Sequence, residues 1–243
     1  MSLQNVSVVL VRPKYPGNIG SAARAMFNMG LNRLVLAEPQ CAIDGESYRM
    51  ARGGKAILDS ARICRSLRSA LRGIRFPVGT TGKSGGYRAP ACSPRTLVPR
   101  ILDHAARQRV GILFGPEDTG LIDDELQFCQ MLIRIPTRRK AHSINLAQAV
   151  MIVCYELYLG NLGHDPAPVA RLASVEQMEA MYAQLEQALL DIGFLQPQNA
   201  RHMMFALRRM LGRTGLEASD IGILRGMARQ ISWHGNLHRK QNQ

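Results

Sequence analysis

Val110-Gly111-Ile112-Leu113-Phe114 is apolar at every position and runs directly into Gly115-Pro116-Glu117-Asp118-Thr119-Gly120-Leu121. A strand with one wet face alternates polar and apolar residues. A short, wholly apolar strand is buried on both faces, the condition inside a parallel sheet covered by helices. Two further stretches share this grammar. Val8-Val9-Leu10-Val11 is followed by the loop Arg12-Pro13-Lys14-Tyr15-Pro16 and then by Gly17-Asn18-Ile19-Gly20-Ser21-Ala22-Ala23-Arg24-Ala25-Met26. Met131-Leu132-Ile133-Arg134-Ile135-Pro136 passes through Thr137 to His142 into Ser143-Ile144-Asn145-Leu146-Ala147, which opens a long apolar helix to about Leu159. Strands alternating with helices predict an α/β domain with a mostly parallel sheet and helices on both faces. In such a fold ligands gather beyond the carboxyl ends of the strands, where all three loops lie.

The remaining elements follow from local signals. Residues 6–11 and 33–37 read as strands around a helix over 19–29, which Gly30 closes and Asn18 or Ser21 can cap. Gly17 and Gly20 allow a ligand or another backbone to come close. Residues 74–80 read as a strand and 96–108 as a helix, and Ser143 is the candidate cap of the long helix. Arg62, Arg65, Arg68, Arg72 and Arg75 form one stripe if that segment is helical, either an RNA-facing row or a solvated face. Arg62-Ile63-Cys64 can equally be a short strand. Gly160 to Pro168 is a linker, after which strand signals stop. Helical patterns then cover 175–192, 198–212 and 219–236, with Ser174 and Gln177 as a capping box and Gly193 and Gly212 as stops. The organisation expected is an α/β domain at 1–160, a linker at 161–173 and a helical domain at 174–243.

Charge narrows the partner. Thirty-one Lys and Arg against eighteen Asp and Glu give +13 over 243 residues. Residues 1–160 carry +11 of it and residues 161–243 only +2, so a polyanion-binding face belongs mainly to the first part. Aromatic content of 5% argues against a single-strand stacking platform. Five scattered cysteines without a C-x-x-C pattern indicate free thiols in a reducing compartment. No stretch is apolar enough to span a membrane and no signal-peptide core precedes the first strand, so a cytoplasmic location is expected.

Two decoys are set aside. Gly82-Lys83-Ser84 imitates the end of a phosphate-binding P-loop, but position 77 is Pro77 where that motif needs glycine, and Gly85 to Pro90 continues as loop. His234 and His238 stand one helical turn apart, yet no carboxylate or cysteine motif accompanies them, so no metal is expected.

Together the three loops are similar to an ordered motif set. Asn18-x5-Arg24, Leu113-Phe114-Gly115-Pro116-Glu117-x2-Gly120-Leu121, and Ile135-Pro136 with Ser143-Ile144-Asn145-Leu146-Ala147 resemble those of the SpoU/TrmH-type (SPOUT) RNA ribose 2′-O-methyltransferases. Leu185 to Leu195 and Ile223 to Met227 are similar to the C-terminal region of the TrmJ branch. The resemblance implies a deep trefoil knot at the C-terminal part of the α/β domain and a homodimer with active sites at its interface. It also implies S-adenosylmethionine held by Thr80, Thr81, Gly115, Ile135, Ser143, Ile144 and Asn145, with no metal. The substrate implied is a pyrimidine ribose in the tRNA anticodon loop. Arg24, Asn18, Glu117, Ser143 and Asn145 match the catalytic positions. Arg24, Lys83, Arg138 and Arg139 are the candidate RNA contacts; the run Thr137-Arg138-Arg139-Lys140 is unusually basic for the third-motif loop. A ribosomal RNA substrate, or a non-catalytic RNA-binding role on the same scaffold, are the competing readings.

Overall fold

The computed structural model describes residues 2–82, 91–138, 144–163 and 169–241. They fall into two units, Met1–Val169 and Ala170–Gln243. The first is built on a seven-stranded sheet: β1 (Val6–Val11), β2 (Arg33–Ala37), β3 (Arg62–Cys64), β4 (Phe76–Thr80), β5 (Ala91–Cys92), β6 (Val110–Phe114) and β7 (Met131–Ile133). The order is β3-β2-β1-β6-β4-β7-β5, and every pairing is parallel. β1 and β6 are buried at all positions and lie side by side, with Val8 opposite Ile112 and Leu10 opposite Phe114. The unbroken apolar runs therefore do what their composition requires.

Among the described residues seven α-helices accompany the sheet: α1 (Pro16–Asn28), α2 (Gly45–Ala51), α3 (Lys55–Asp59), α4 (Leu67–Ala70), α5 (Pro94–Ala105), α6 (Asp123–Leu126) and α7 (Leu146–Asn161). α1 starts earlier than its sequence suggests. Pro16 occupies the first helical turn, where a missing N–H costs nothing, and Tyr15 is the flanking residue. Asn18 and Ser21 thus lie inside the helix and do not cap it. Its end is as expected: Gly30 has φ +72°, and the Gly30 and Leu31 amides return to the Phe27 and Met26 carbonyls. Gly20 is a site of close approach, since a Cβ there would fall on the Ser47 carbonyl of α2. α7 begins at Leu146 and is capped by Asn145, whose side-chain oxygen accepts from the amides of Ala147 at 2.9 Å and Gln148 at 3.3 Å. The cap role given to Ser143 therefore belongs to Asn145; Ser143 itself lies outside the described residues.

The arginine stripe over 62–75 does not form. Arg62 sits in β3 and its guanidinium donates to the Ala70 carbonyl, while only Leu67–Ala70 is helical. The short-strand reading is the one realised, because β3 completes the sheet edge beside β2.

The second unit contains α8 (Val175–Asp191), α9 (Ala200–Gly212) and α10 (Ala218–Gln241). Ser174 and Gln177 form the expected capping box. Gly193 has φ +75°, but after α9 the left-handed turn falls at Gly215 rather than Gly212. Met178, Met181, Tyr182, Leu195, Met204 and Ile221 make its core. Within it Arg208 pairs with the buried Glu179 and lies 4.4 Å over the Tyr182 ring.

Candidate active site

The carboxyl ends of β4, β6 and β7 and the start of α7 enclose a cavity of about 330 Å³. Thr80 and Thr81 line it at the end of β4, Gly115 to Gly120 in the loop after β6, Ile133, Ile135 and Thr137 at and beyond the end of β7, Ile144 just before α7, and Leu146 and Ala149 in its first turn. The wall is mostly apolar on the β7–α7 side and carries the acidic residues Glu117 and Asp118 on the β6 side. Gly115 is obligatory here, because a Cβ would fall on the backbone of Gly120 and Leu121. Gly120, with φ +64°, closes the loop by donating its amide to the Pro116 carbonyl at 2.9 Å. Thr80 is partly committed to the fold: its hydroxyl donates to the Leu113 carbonyl at 2.9 Å, tying the end of β4 to the end of β6.

Three loops far apart in sequence are joined by side-chain amides. Asn145 Nδ2 donates to Asn18 Oδ1 at 3.1 Å, and Asn18 Nδ2 donates to Glu117 Oε1 at 2.7 Å. The other carboxylate oxygen of Glu117 accepts the Lys14 amide at 3.2 Å. The early start of α1 is what allows this. An asparagine inside the first turn keeps both its side-chain oxygen and its NH2 for partners across the site, whereas an N-cap such as Asn145 spends the oxygen on its helix and has only the NH2 left. With both oxygens engaged, Glu117 is held as an orienting acceptor.

A second layer was not found by sequence reasoning. Lys14 Nζ pairs with Asp118 Oδ2 at 2.6 Å. The hydrogen bond between them raises the lysine pKa and lowers that of the aspartate. Arg12, with φ +50°, donates through Nε to Glu125 Oε1 at 2.9 Å, and Glu125 Oε2 accepts the Ile122 amide at 2.9 Å. Arg12-Pro13-Lys14 therefore brackets the β6–α6 loop at both ends. Cations flanking a proline at the end of a buried strand were the available signal, but their partners are about a hundred positions away.

The remaining predicted residues fall as follows. Arg24 is exposed on α1 and makes no hydrogen bond or ion pair among the described residues. Six residues beyond Asn18, it lies about 9 Å further along the axis and about 120° around it. It does not line the cavity. Arg138 is also exposed, at the end of the β7 loop. Lys83, Arg139 and Ser143 lie outside the described residues. No group of three or more histidine, cysteine or acidic residues able to hold a metal occurs among the described residues.

Comparison with known proteins adds to this geometry. The model of the SpoU rRNA Methylase family matches residues 5–155, and that of the tRNA methyltransferase TrmJ C-terminal domain matches residues 176–243. The chain is 38% identical over 238 residues to the tRNA (cytidine/uridine/adenosine-2′-O-)-methyltransferase TrmJ of Pseudomonas aeruginosa, covering 93% of each. It is 35% identical over 237 residues to the tRNA (cytidine/uridine-2′-O-)-methyltransferase TrmJ of Pectobacterium atrosepticum, covering 94% of this chain and 97% of that one. The crystal structure of TrmJ from Z. mobilis matches it with a TM-score of 0.81 at 32% identity, over 93% of this chain and 98% of that one.

Proposed function

This chain belongs to the SpoU methylase family, and from that premise we propose that it methylates the ribose 2′-hydroxyl of a pyrimidine nucleotide in the tRNA anticodon loop, with S-adenosylmethionine as donor. The observation that carries the reading is the Asn145–Asn18–Glu117 chain, which draws the three motif loops into one rim beside the cavity. The TrmJ C-terminal domain match over residues 176–243 favours tRNA over ribosomal RNA.

The cavity fits the cofactor chemically. Ile135, Ile144 and Leu146 offer an apolar wall for a flat heterocycle, and the tight Gly115–Gly120 loop brings backbone close to a polar ligand. Thr80, Thr81, Gly115, Ile135, Ile144 and Asn145, with Ser143, are the residues assigned to hold it. When bound, S-adenosylmethionine supplies a methyl group already activated on a sulfonium, so no metal is needed.

The protein's task is then to place a ribose oxygen in line and to manage its proton. Arg24 is assigned to the substrate. A guanidinium is a poor base, but it can grip the adjacent phosphate and stabilise the developing alkoxide. Asn18 and Glu117 fix the start of α1, and hence Arg24. Asn145 holds the third loop against the first.

We further propose a homodimer. Tyr155, Tyr158, Leu159 and Leu162 leave one side of α7 apolar and exposed, and the exposed Arg24 would complete a site at an interface. A trefoil knot is supported by β7 lying between β4 and β5, which the segment after Thr80 connects. The proposed division is a methyltransferase domain at 1–160, a linker at 161–173 and a helical domain at 174–243. A cytoplasmic location accords with five free cysteines and with no described helix being long and apolar enough to cross a membrane.

Arg24→Ala tests the assignment. Transfer of labelled methyl to tRNA should be lost while calorimetric affinity for S-adenosylmethionine stays near wild type. Loss of cofactor binding in that variant would overturn the role given to Arg24. Mapping ribose methylation in tRNA from a strain lacking the gene identifies the nucleotide.

A further inference from the structure

Arg24 does not stand alone on its surface. α2 and the turn after it are pressed on α1 backbone to backbone. A Cβ on Gly20 would fall on the Ser47 carbonyl, one on Gly54 would lie 2.6 Å from the Ala23 carbonyl and 3.1 Å from the Arg24 amide, and one on Gly53 would lie 2.6 Å from the Phe27 ring. The Ser47 hydroxyl also donates to the Pro16 carbonyl at 3.0 Å, and Asp44 caps α2 through the amides of Glu46 and Ser47. The segment 44–55 is therefore fixed relative to α1.

That segment presents Arg49, Arg52 and Lys55, all exposed. Like Arg24, none has a hydrogen bond or ion pair among the described residues, whereas Arg12, Lys14, Arg95 and Arg208 each hold an acid. The nearby acids are otherwise placed: Asp44 is spent on amides, Asp59 accepts from the Tyr48 hydroxyl at 2.8 Å, and Glu46 sits against Gly17. Arg52 has φ +45°, a conformation glycine adopts freely and arginine does not, so the backbone there is strained. Gly53 and Gly54 follow it, and two Cα steps of about 3.8 Å separate Arg52 from the glycine that rests on Arg24. Phe27, half exposed beneath Gly53, adds one aromatic face among these cations.

We propose that Arg49, Arg52 and Lys55 form with Arg24 a rigid docking platform for the sugar–phosphate backbone of the RNA substrate. It seats the strand so that the ribose to be methylated lies beside Arg24. Charge complementarity selects the occupant: a row of unpaired cations, two of them guanidinium forks beyond Arg24, matches successive phosphates. The inference rests on the RNA-methylating reading given above.

The test uses the full chain with Arg49→Gln/Arg52→Gln, and separately with Arg52→Gly, which removes the charge and relieves the backbone. Binding to unmodified tRNA transcripts is measured across a salt series, alongside S-adenosylmethionine affinity and subunit mass by light scattering. The double variant should weaken RNA binding about 5- to 20-fold at 0.1 M salt and lower the slope of log K against log salt by about 1.5–2, two phosphate contacts' worth. Arg52→Gly should lose about half of that, with cofactor affinity and mass unchanged. Unchanged RNA affinity and slope in both variants, while wild type binds RNA with salt dependence, would overturn the platform alone. A changed subunit mass would assign the face to a second copy and overturn it too. A wild type with no salt-dependent RNA affinity would overturn the RNA reading and the platform with it.

Discussion

The bond between Asn18 and Glu117 offers a quantitative test of the site's construction. Asn18 Nδ2 donates to a carboxylate oxygen at 2.7 Å across 99 residues of sequence, and both groups are half-buried. A hydrogen bond to a charged group contributes about 1.5–3 kcal/mol when well enclosed, so partial exposure puts this one at about 1–2 kcal/mol. Glu117→Gln keeps the shape but leaves a single acceptor facing two donors, the Asn18 amide and the Lys14 N–H. Asn18→Ala removes the bridge to both Glu117 and Asn145. A double-mutant cycle on the single-turnover rate of methyl transfer isolates the pair. The two losses should fall short of additive by about 1–2 kcal/mol, a factor of about 5–30 in rate. The same cycle on urea unfolding tells how much of the coupling is stability. Additivity in the rate to within about 0.3–0.5 kcal/mol would show that the two residues act independently and that the rim is not one unit.

Three further outcomes are expected. Gly115→Ala should lower cofactor affinity at least tenfold by calorimetry, because the new Cβ meets immovable backbone at Gly120 and Leu121 rather than a side chain. His104 is buried against the Phe76 ring at 4.0 Å, and burial, with Arg100 adding to it and Asp103 opposing, lowers its pKa from 6.5 to about 4. Between those values the unfolded chain binds the extra proton, so stability should rise with pH across that window. The span is at most about 3 kcal/mol, and His104→Gln should flatten it in urea melts run at several pH values. In the second unit, Arg208→Met strands the buried Glu179 and should cost about 3 kcal/mol in denaturant unfolding, with Glu179→Gln in addition recovering part of it.

What could be read in advance and what could not divides by the range of the interaction. Val110–Phe114, the Gly30 turn and the Ser174–Gln177 box are specified by neighbouring residues, and all three formed as written. The start of α1 was misplaced because capping preference at Asn18 competes with Pro16 at the first turn, and proline's fixed φ prevailed. The arginines at 62–75 carry helical spacing, but pairing with β2 overrode it. Periodicity could not show β7 between β4 and β5, and it could not show Arg12 finding Glu125 across 113 positions. At the site the motif residues themselves were legible. The Lys14–Asp118 pair was not, since neither residue has a local reason to be noticed.

The place of β7 in the sheet has a bearing on how the chain is made. β4 leaves the ribosome before β5 and gains β6 on one side once Val110–Phe114 is made, yet its other edge and that of β5 have no neighbour until Met131–Ile133 arrives about fifty residues after Thr80. At translation speeds of about 5–20 residues per second, those two strand edges wait some seconds with unpaired amides and carbonyls. Until that gap closes, the open edges can mispair with those of another copy of the chain. Chaperone occupancy during synthesis should therefore peak between the emergence of Cys92 and that of Ile133.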